Sequence, residues 1–113
     1  VVVDTAELGA VDPDLEIQGV LNDEVVQSSR TSDLIFGVPE LVAYLTSIMT
    51  MEPGDLVLTG TPAGVGMGMQ PPRYLAPGDA FEVRIEGIGA LRNRFVAEGD
   101  WVAPSLELQA VQP

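Results

Sequence analysis

Turn signals cut this chain into short pieces, and only one piece carries the period of a helix. Asn22-Asp23, Pro53-Gly54, Pro77-Gly78 and Gly87-Ile88-Gly89 each supply residues that fix φ or tolerate positive φ, so the chain is expected to reverse direction there. Before the first reversal, Leu15, Ile17, Gly19 and Leu21 alternate with Glu16, Gln18, Val20 and Asn22, the period-2 pattern of a half-buried strand. The spacing predicts a tight hairpin at Asn22-Asp23 that returns through Glu24, Val25, Val26 and Gln27. Gly would suit the second turn position better than Asp23.

The helical piece runs from about Pro39 to Met49, with Leu41, Val42, Leu45, Ile48 and Met49 along one stripe and Pro39 in the first turn. It stops before Pro53-Gly54, a pair suited to a type II turn, after which Leu56, Val57 and Leu58 read as a short buried strand. Residues 60–77 show neither period and form a long Gly- and Pro-rich loop, a kind of segment that is usually functional or mobile. Pro77-Gly78-Asp79 then repeats the earlier punctuation ahead of a second strand. A three-residue loop at Gly87-Ile88-Gly89 would set Phe81 opposite Phe95, Ile85 opposite Leu91, Glu82 opposite Arg94 and Arg84 opposite Arg92. Leu106 and Leu108 form a short edge strand or a frayed tail that begins near residue 102. The fold class is mainly β with one helix (α+β), built as one domain around one core. A hydrophobic content of 46% is ample for that core.

Seventeen acidic residues against five basic ones give a net charge of −12, a field that repels phosphate backbones, so nucleic acid is excluded as a partner. The basic residues are all arginines, scattered at 30, 73, 84, 92 and 94. No apolar run is long enough to span a bilayer, and the expected setting is the cytoplasm, with which the absence of Cys agrees. The first residue is Val1, and Val1, Val2 and Val3 read as the middle of a strand. The numbering is therefore expected to start inside a longer protein.

The chain has no His and no Lys, so a Ser or Thr nucleophile would lack its usual base, and no catalytic residue is assigned within it. Asp12, Asp14 and Glu16 alternate, but Ile17 stands where a calcium loop needs Gly, and a solvated acidic turn is the better reading. The stretch from Gly60 to Gly68 satisfies neither the dinucleotide nor the Walker spacing. Its exposed amides and the Thr61 hydroxyl could hold a carboxylate or carbonyl oxygen. On the residues alone, that reading and a purely structural loop stand level.

Four motifs then carry a resemblance. Leu21-Asn22-Asp23-Glu24-Val25-Val26-Gln27, Thr31-Ser32-Asp33-Leu34-Ile35-Phe36, the run from Pro53 through Thr59-Gly60-Thr61-Pro62 to Gly66, and Gly78-Asp79 with Ile85 to Asn93 occur in that order. Together they resemble the C-terminal part of the fumarylacetoacetate hydrolase family, from about Asp12 to Phe95, with Asp23 standing where the family's hairpin usually has Gly. The resemblance implies that residues 1–113 are the C-terminal portion of one catalytic domain, a mixed β-sandwich roll that works as a homodimer. It implies cleavage of a carbon–carbon bond in small acylpyruvate-like 2-oxo acids, with Mg²⁺ or Mn²⁺ polarising the substrate oxygens. The family's metal ligands match no residue here. Of the site residues, only Thr61, with Gly60 beside it, matches a substrate-contacting position. Isomerases and oxaloacetate-type decarboxylases share this half, and a non-catalytic β-rich binding module is the alternative of a different class.

Overall fold

Two antiparallel hairpins joined edge to edge form the sheet of this computed structural model, which describes residues 4–10 and 12–102. The strand expected at Val1, Val2 and Val3 and the tail with Leu106 and Leu108 lie outside the described residues. A single-turn helix, α1 (Thr5–Leu8), comes first, its N-terminus capped by the Asp4 carboxylate and its end marked by Gly9 in the left-handed region. Strands β1 (Glu16–Leu21) and β2 (Glu24–Arg30) come next, then helix α2 (Val38–Ile48), then β3 (Ala80–Ile85) and β4 (Gly89–Arg94). The sheet order is β2-β1-β3-β4 with every neighbour antiparallel, so the architecture is mainly β with one principal helix, as expected.

The first hairpin turns where the sequence places it. Asn22 and Asp23 have φ of 49° and 69°, the positive values that a type I′ turn requires at both central positions. The Asp23 carboxylate accepts a hydrogen bond from Arg92 Nη1 at 2.9 Å, a contact that a glycine would lack. Farther along, the ladder slips: Val20 pairs with Val25 but Gly19 pairs with Gln27, which leaves Val26 as the extra residue of a β-bulge.

The second hairpin turns one residue earlier than expected. Ile85 faces Gly89, Glu82 faces Arg92 and Phe81 faces Asn93, so the expected pairs Phe81 with Phe95, Ile85 with Leu91, Glu82 with Arg94 and Arg84 with Arg92 do not form. The reason lies in the turn. Ile88 N donates to Ile85 O at 3.1 Å, and Gly87, with φ of 74°, takes the position of that turn where positive φ is needed. The register thus moves by two residues, which keeps every side chain on its expected face. Arg84 lies opposite Ala90, and Glu82 is paired with both Arg84 and Arg92.

Leu56, Val57 and Leu58 are not a buried strand. They come after the expected turn, in which Gly54 has φ of 104° and Asp55 N donates to Glu52 O, but no described strand pairs with them, and Leu56 and Leu58 are 90% and 96% exposed. A β pattern without a partner leaves its backbone groups unpaired, so it forms no ladder. The stripe on α2 is likewise largely uncovered, with Val42, Ile48 and Met49 exposed. Among the described residues, Val20 on the central strand β1 is the one fully buried apolar side chain.

Two devices hold the long glycine-rich loop. At its far end, the buried Asp79 carboxylate accepts from Asn22 Nδ2 at 2.8 Å and from Ala76 N at 2.7 Å, and its two oxygens accept from Arg73 Nη2 at 2.8 and 2.7 Å. Asn22 returns the tie through its side-chain oxygen, which accepts from Ala80 N at 2.9 Å. At its near end, Gly64 (φ 103°) approaches the bulge so closely that a Cβ would stand 2.1 Å from Val26 O.

Each device predicts a measurable effect. Hydrogen bonds from Asn22, from the Ala76 amide and from Arg73 hold Asp79 down from the ordinary 3.8 to about 2. A depressed carboxyl stabilises the fold above its unfolded value, and that stability is lost as pH falls from 3.8 towards about 2. Melting curves of Asp79→Asn should therefore show a lower Tm near neutrality and a shallower fall of Tm through that acid window than wild type. Parallel curves for the two proteins would contradict the assignment. At the bulge, Gly64→Ala should cost roughly 2 kcal/mol or more in denaturant unfolding, because it adds both strain at positive φ and a backbone clash. An unchanged midpoint would show that the loop does not rest on β2.

Candidate functional site

The glycine-rich loop and the end of β2 enclose a cavity of about 400 Å³. Its walls come from Ser29 and Arg30 at the end of β2, from the 3-10 turn Thr31–Asp33 with Leu34, Ile35 and Phe36 after it, and from the segment from Thr59 to Pro62, with Ile17 of β1 and Leu41 of α2 completing them. Thr61 and Gly60, the two site residues expected from the sequence, both line it, with Thr59 beside them. Gly60 has φ of 100°, which lets the chain turn between two threonines that both line the cavity.

The charged groups in this wall are already committed. Arg30 Nε lies 2.9 Å from both carboxylate oxygens of Asp14, and its Nη2 donates to the Asp14 carbonyl at 2.9 Å. Glu86 adds a second carboxylate 3.7 Å away. These contacts, the hydrogen bond to Asp14 foremost, hold the guanidinium firmly protonated. Asp33 accepts from the Ser29 hydroxyl and from Arg30 N at 3.0 Å, and those two bonds hold its carboxyl below the ordinary range. The cavity therefore offers a ligand neutral donors on an apolar background, and its arginine is spent on the protein itself.

Thr61 is held by a residue that the sequence did not single out. Gln27 Nε2 donates to Thr61 Oγ1 and to Pro62 O, both at 2.9 Å, tying the loop to β2. Gly19 makes room for this: a Cβ there would lie 2.9 Å from Phe81 Cζ and 3.0 Å from Gln27 Oε1. A long amide facing a glycine across a hairpin would have been the signal. Counting back from a two-residue turn pairs Gly19 with Val26, and only the bulge brings Gln27 opposite it.

The acidic run does not assemble a metal centre. Asp14 is bound to Arg30, and among the described residues no three His, Cys, Asp or Glu side chains converge on a point that could hold an ion. Nor is any helix among them long and apolar enough to cross a membrane.

Comparison with known proteins agrees with this sheet and loop. The model for the fumarylacetoacetate (FAA) hydrolase C-terminal region matches residues 1–96. Oxaloacetate tautomerase YisK of Bacillus subtilis is 45% identical over 80 residues, which is 71% of this chain and 27% of that protein. A putative HpcE protein of Mycobacterium smegmatis superposes with a TM-score of 0.81 at 50% identity, covering 85% of this chain and 35% of that one. Maleylpyruvate hydrolase of a Sphingobium species, solved with manganese(II) and pyruvate, superposes with a TM-score of 0.65 at 32% identity, covering 74% and 29%. The chain thus spans about a third of the length of such relatives. A match along nearly the whole chain, with the same sheet and loop, means that this chain belongs to the fumarylacetoacetate hydrolase family as a part of its C-terminal region.

Proposed function

We propose that the intact protein is a divalent-metal-dependent enzyme acting on small 2-oxo acids, and that hydrolytic cleavage of a carbon–carbon bond in an acylpyruvate is its reaction. The observation that carries this reading is the cavity at Thr61. It is large enough for a small ligand and lined by hydroxyls, yet its arginine is neutralised by Asp14 within a chain of net charge −12. An anionic 2-oxo acid would be repelled from such a place unless a cation from outside this wall accompanied it. The manganese and pyruvate bound to the Sphingobium hydrolase fit that requirement. The described residues do not supply a ligand set for Mg²⁺ or Mn²⁺, so the cation would be held elsewhere in the intact protein.

Within this chain, the part played by Thr61 is to grip. Its hydroxyl stands on a loop clamped to a strand, which fixes a donor towards a substrate carboxylate or carbonyl oxygen at little entropic cost. Gly60 lets the backbone turn beneath it.

A second reading is tautomerisation or isomerisation of a related 2-oxo acid. It is supported by the tautomerase of Bacillus subtilis, which is 45% identical to this chain over 80 residues. Both readings place the same anion on Thr61 and differ in whether its carbon–carbon bond is then cleaved. We propose also that the intact protein is a homodimer; Ile35, Leu56 and Leu58, 89%, 90% and 96% exposed, leave apolar surface that the rest of the protein or a second copy would cover.

The test uses the intact gene product. Chelation should abolish turnover of acylpyruvates, and Mn²⁺ or Mg²⁺ should restore it. Thr61→Val should lower kcat/KM about tenfold or more while Thr61→Ser stays near wild type, as losing one hydrogen bond to a charged group requires. Rapid interconversion of oxaloacetate tautomers without bond cleavage would select the second reading. A Thr61→Val enzyme with intact kcat/KM and a lowered Tm would make Thr61 a turn residue.

A further inference from the structure

We infer that Gln27 is a positioning residue, one that fixes the polarity of the Thr61 hydroxyl so that Thr61 presents its hydrogen to the ligand. The inference rests on the reading of Thr61 as a substrate contact. One end of the Gln27 amide lies 2.9 Å from two oxygens, Thr61 Oγ1 and the carbonyl of Pro62. A carbonyl can only accept, so the group facing it is the NH₂ and not the amide oxygen. That contact settles which way the amide points, a matter that side-chain shape alone leaves open. The same NH₂ faces Thr61 Oγ1, which must then accept. A hydroxyl that accepts keeps its own hydrogen for donation, and none of the hydrogen bonds among the described residues uses it.

The surroundings hold the amide in this orientation. The bulge at Val26 shifts Gln27 one position along β2, so that it lies opposite Gly19. The absent Cβ of Gly19 leaves a space that Gln27 and Phe81 fill, and a Cβ there would press on Phe81 Cζ at 2.9 Å and on the Gln27 oxygen at 3.0 Å. Gly64 rests on the carbonyl of the bulged residue and brings the loop within the amide's reach. A bulge, two glycines and one amide thus act together on a single hydroxyl rotor.

The consequence is chemical as well as steric. With Gln27 in place, Thr61 is a donor, which is what a carboxylate or an enolate oxygen needs. Gln27→Glu keeps the shape and inverts the polarity: a carboxylate accepts, so the Thr61 hydrogen turns away from the ligand and towards the new side chain.

The test is a double-mutant cycle in the intact, metal-loaded enzyme with its best 2-oxo acid substrate. Gln27→Glu should lower kcat/KM about tenfold, close to the loss in Thr61→Val, and Gln27→Glu combined with Thr61→Val should be no worse than Thr61→Val alone. The ratio of wild-type to Gln27→Glu activity should also shrink as pH falls and the new carboxyl takes up a proton, a trend that a purely structural lesion would not produce. If Gln27→Glu does not fold, Gln27→Met carries the same cycle, with a smaller loss that again vanishes in the Thr61→Val background. Additive losses, with Thr61→Val itself impaired, would overturn the role of Gln27 and leave Thr61 as a contact. A Thr61→Val enzyme with unchanged kcat/KM would remove the contact and this inference with it.

Discussion

The carboxylate of Asp79 joins the β1–β2 turn, the far end of the glycine-rich loop and the start of β3 at one buried point. A buried charge is tolerable only when its oxygens are fully engaged, and here an amide side chain, a backbone N–H and a guanidinium engage them. The Gln27 amide does the complementary work at the near end of the loop, on Thr61 and Pro62. Arg73 N, donating to Gly66 O at 2.9 Å, closes the span between the two. A segment with no strand and only one 3-10 turn is thereby fixed to the sheet by polar contacts, not by burial.

This arrangement explains the division between what the sequence makes legible and what it does not. Local chemistry reads well: Asn22-Asp23 can take positive φ at both positions and does, and the Pro-Gly pairs turn as written. The β3–β4 faces read correctly because period 2 survives a shift of two residues. The register does not, because three nearby residues can close the turn in more than one way and Gly87 decides between them. Leu56 to Leu58 show the opposite failure. Their pattern is that of a strand, but a strand is a property of a pair, and among the described residues the partner is missing.

The site divides in the same manner. Thr61 and Gly60 are legible because the turn chemistry and the motif fall on one short stretch. Gln27 is hidden among the ordinary polar residues of an alternating strand, and the bulge that gives it a role cannot be counted from the turn. The tie on Thr61 is a contact between residues 34 positions apart, which no local pattern reports.

We propose that the loop clamped by Gln27 presents Thr61 to the acid end of a 2-oxo acid. A crystal structure of the intact protein with Mn²⁺ and pyruvate tests it most directly. Thr61 Oγ1 should then lie within hydrogen-bonding distance of a pyruvate oxygen, with Gln27 Nε2 still bound to Thr61 and Pro62. Pyruvate bound to the metal with Thr61 turned away from it, or with Gln27 released from the loop, would contradict it.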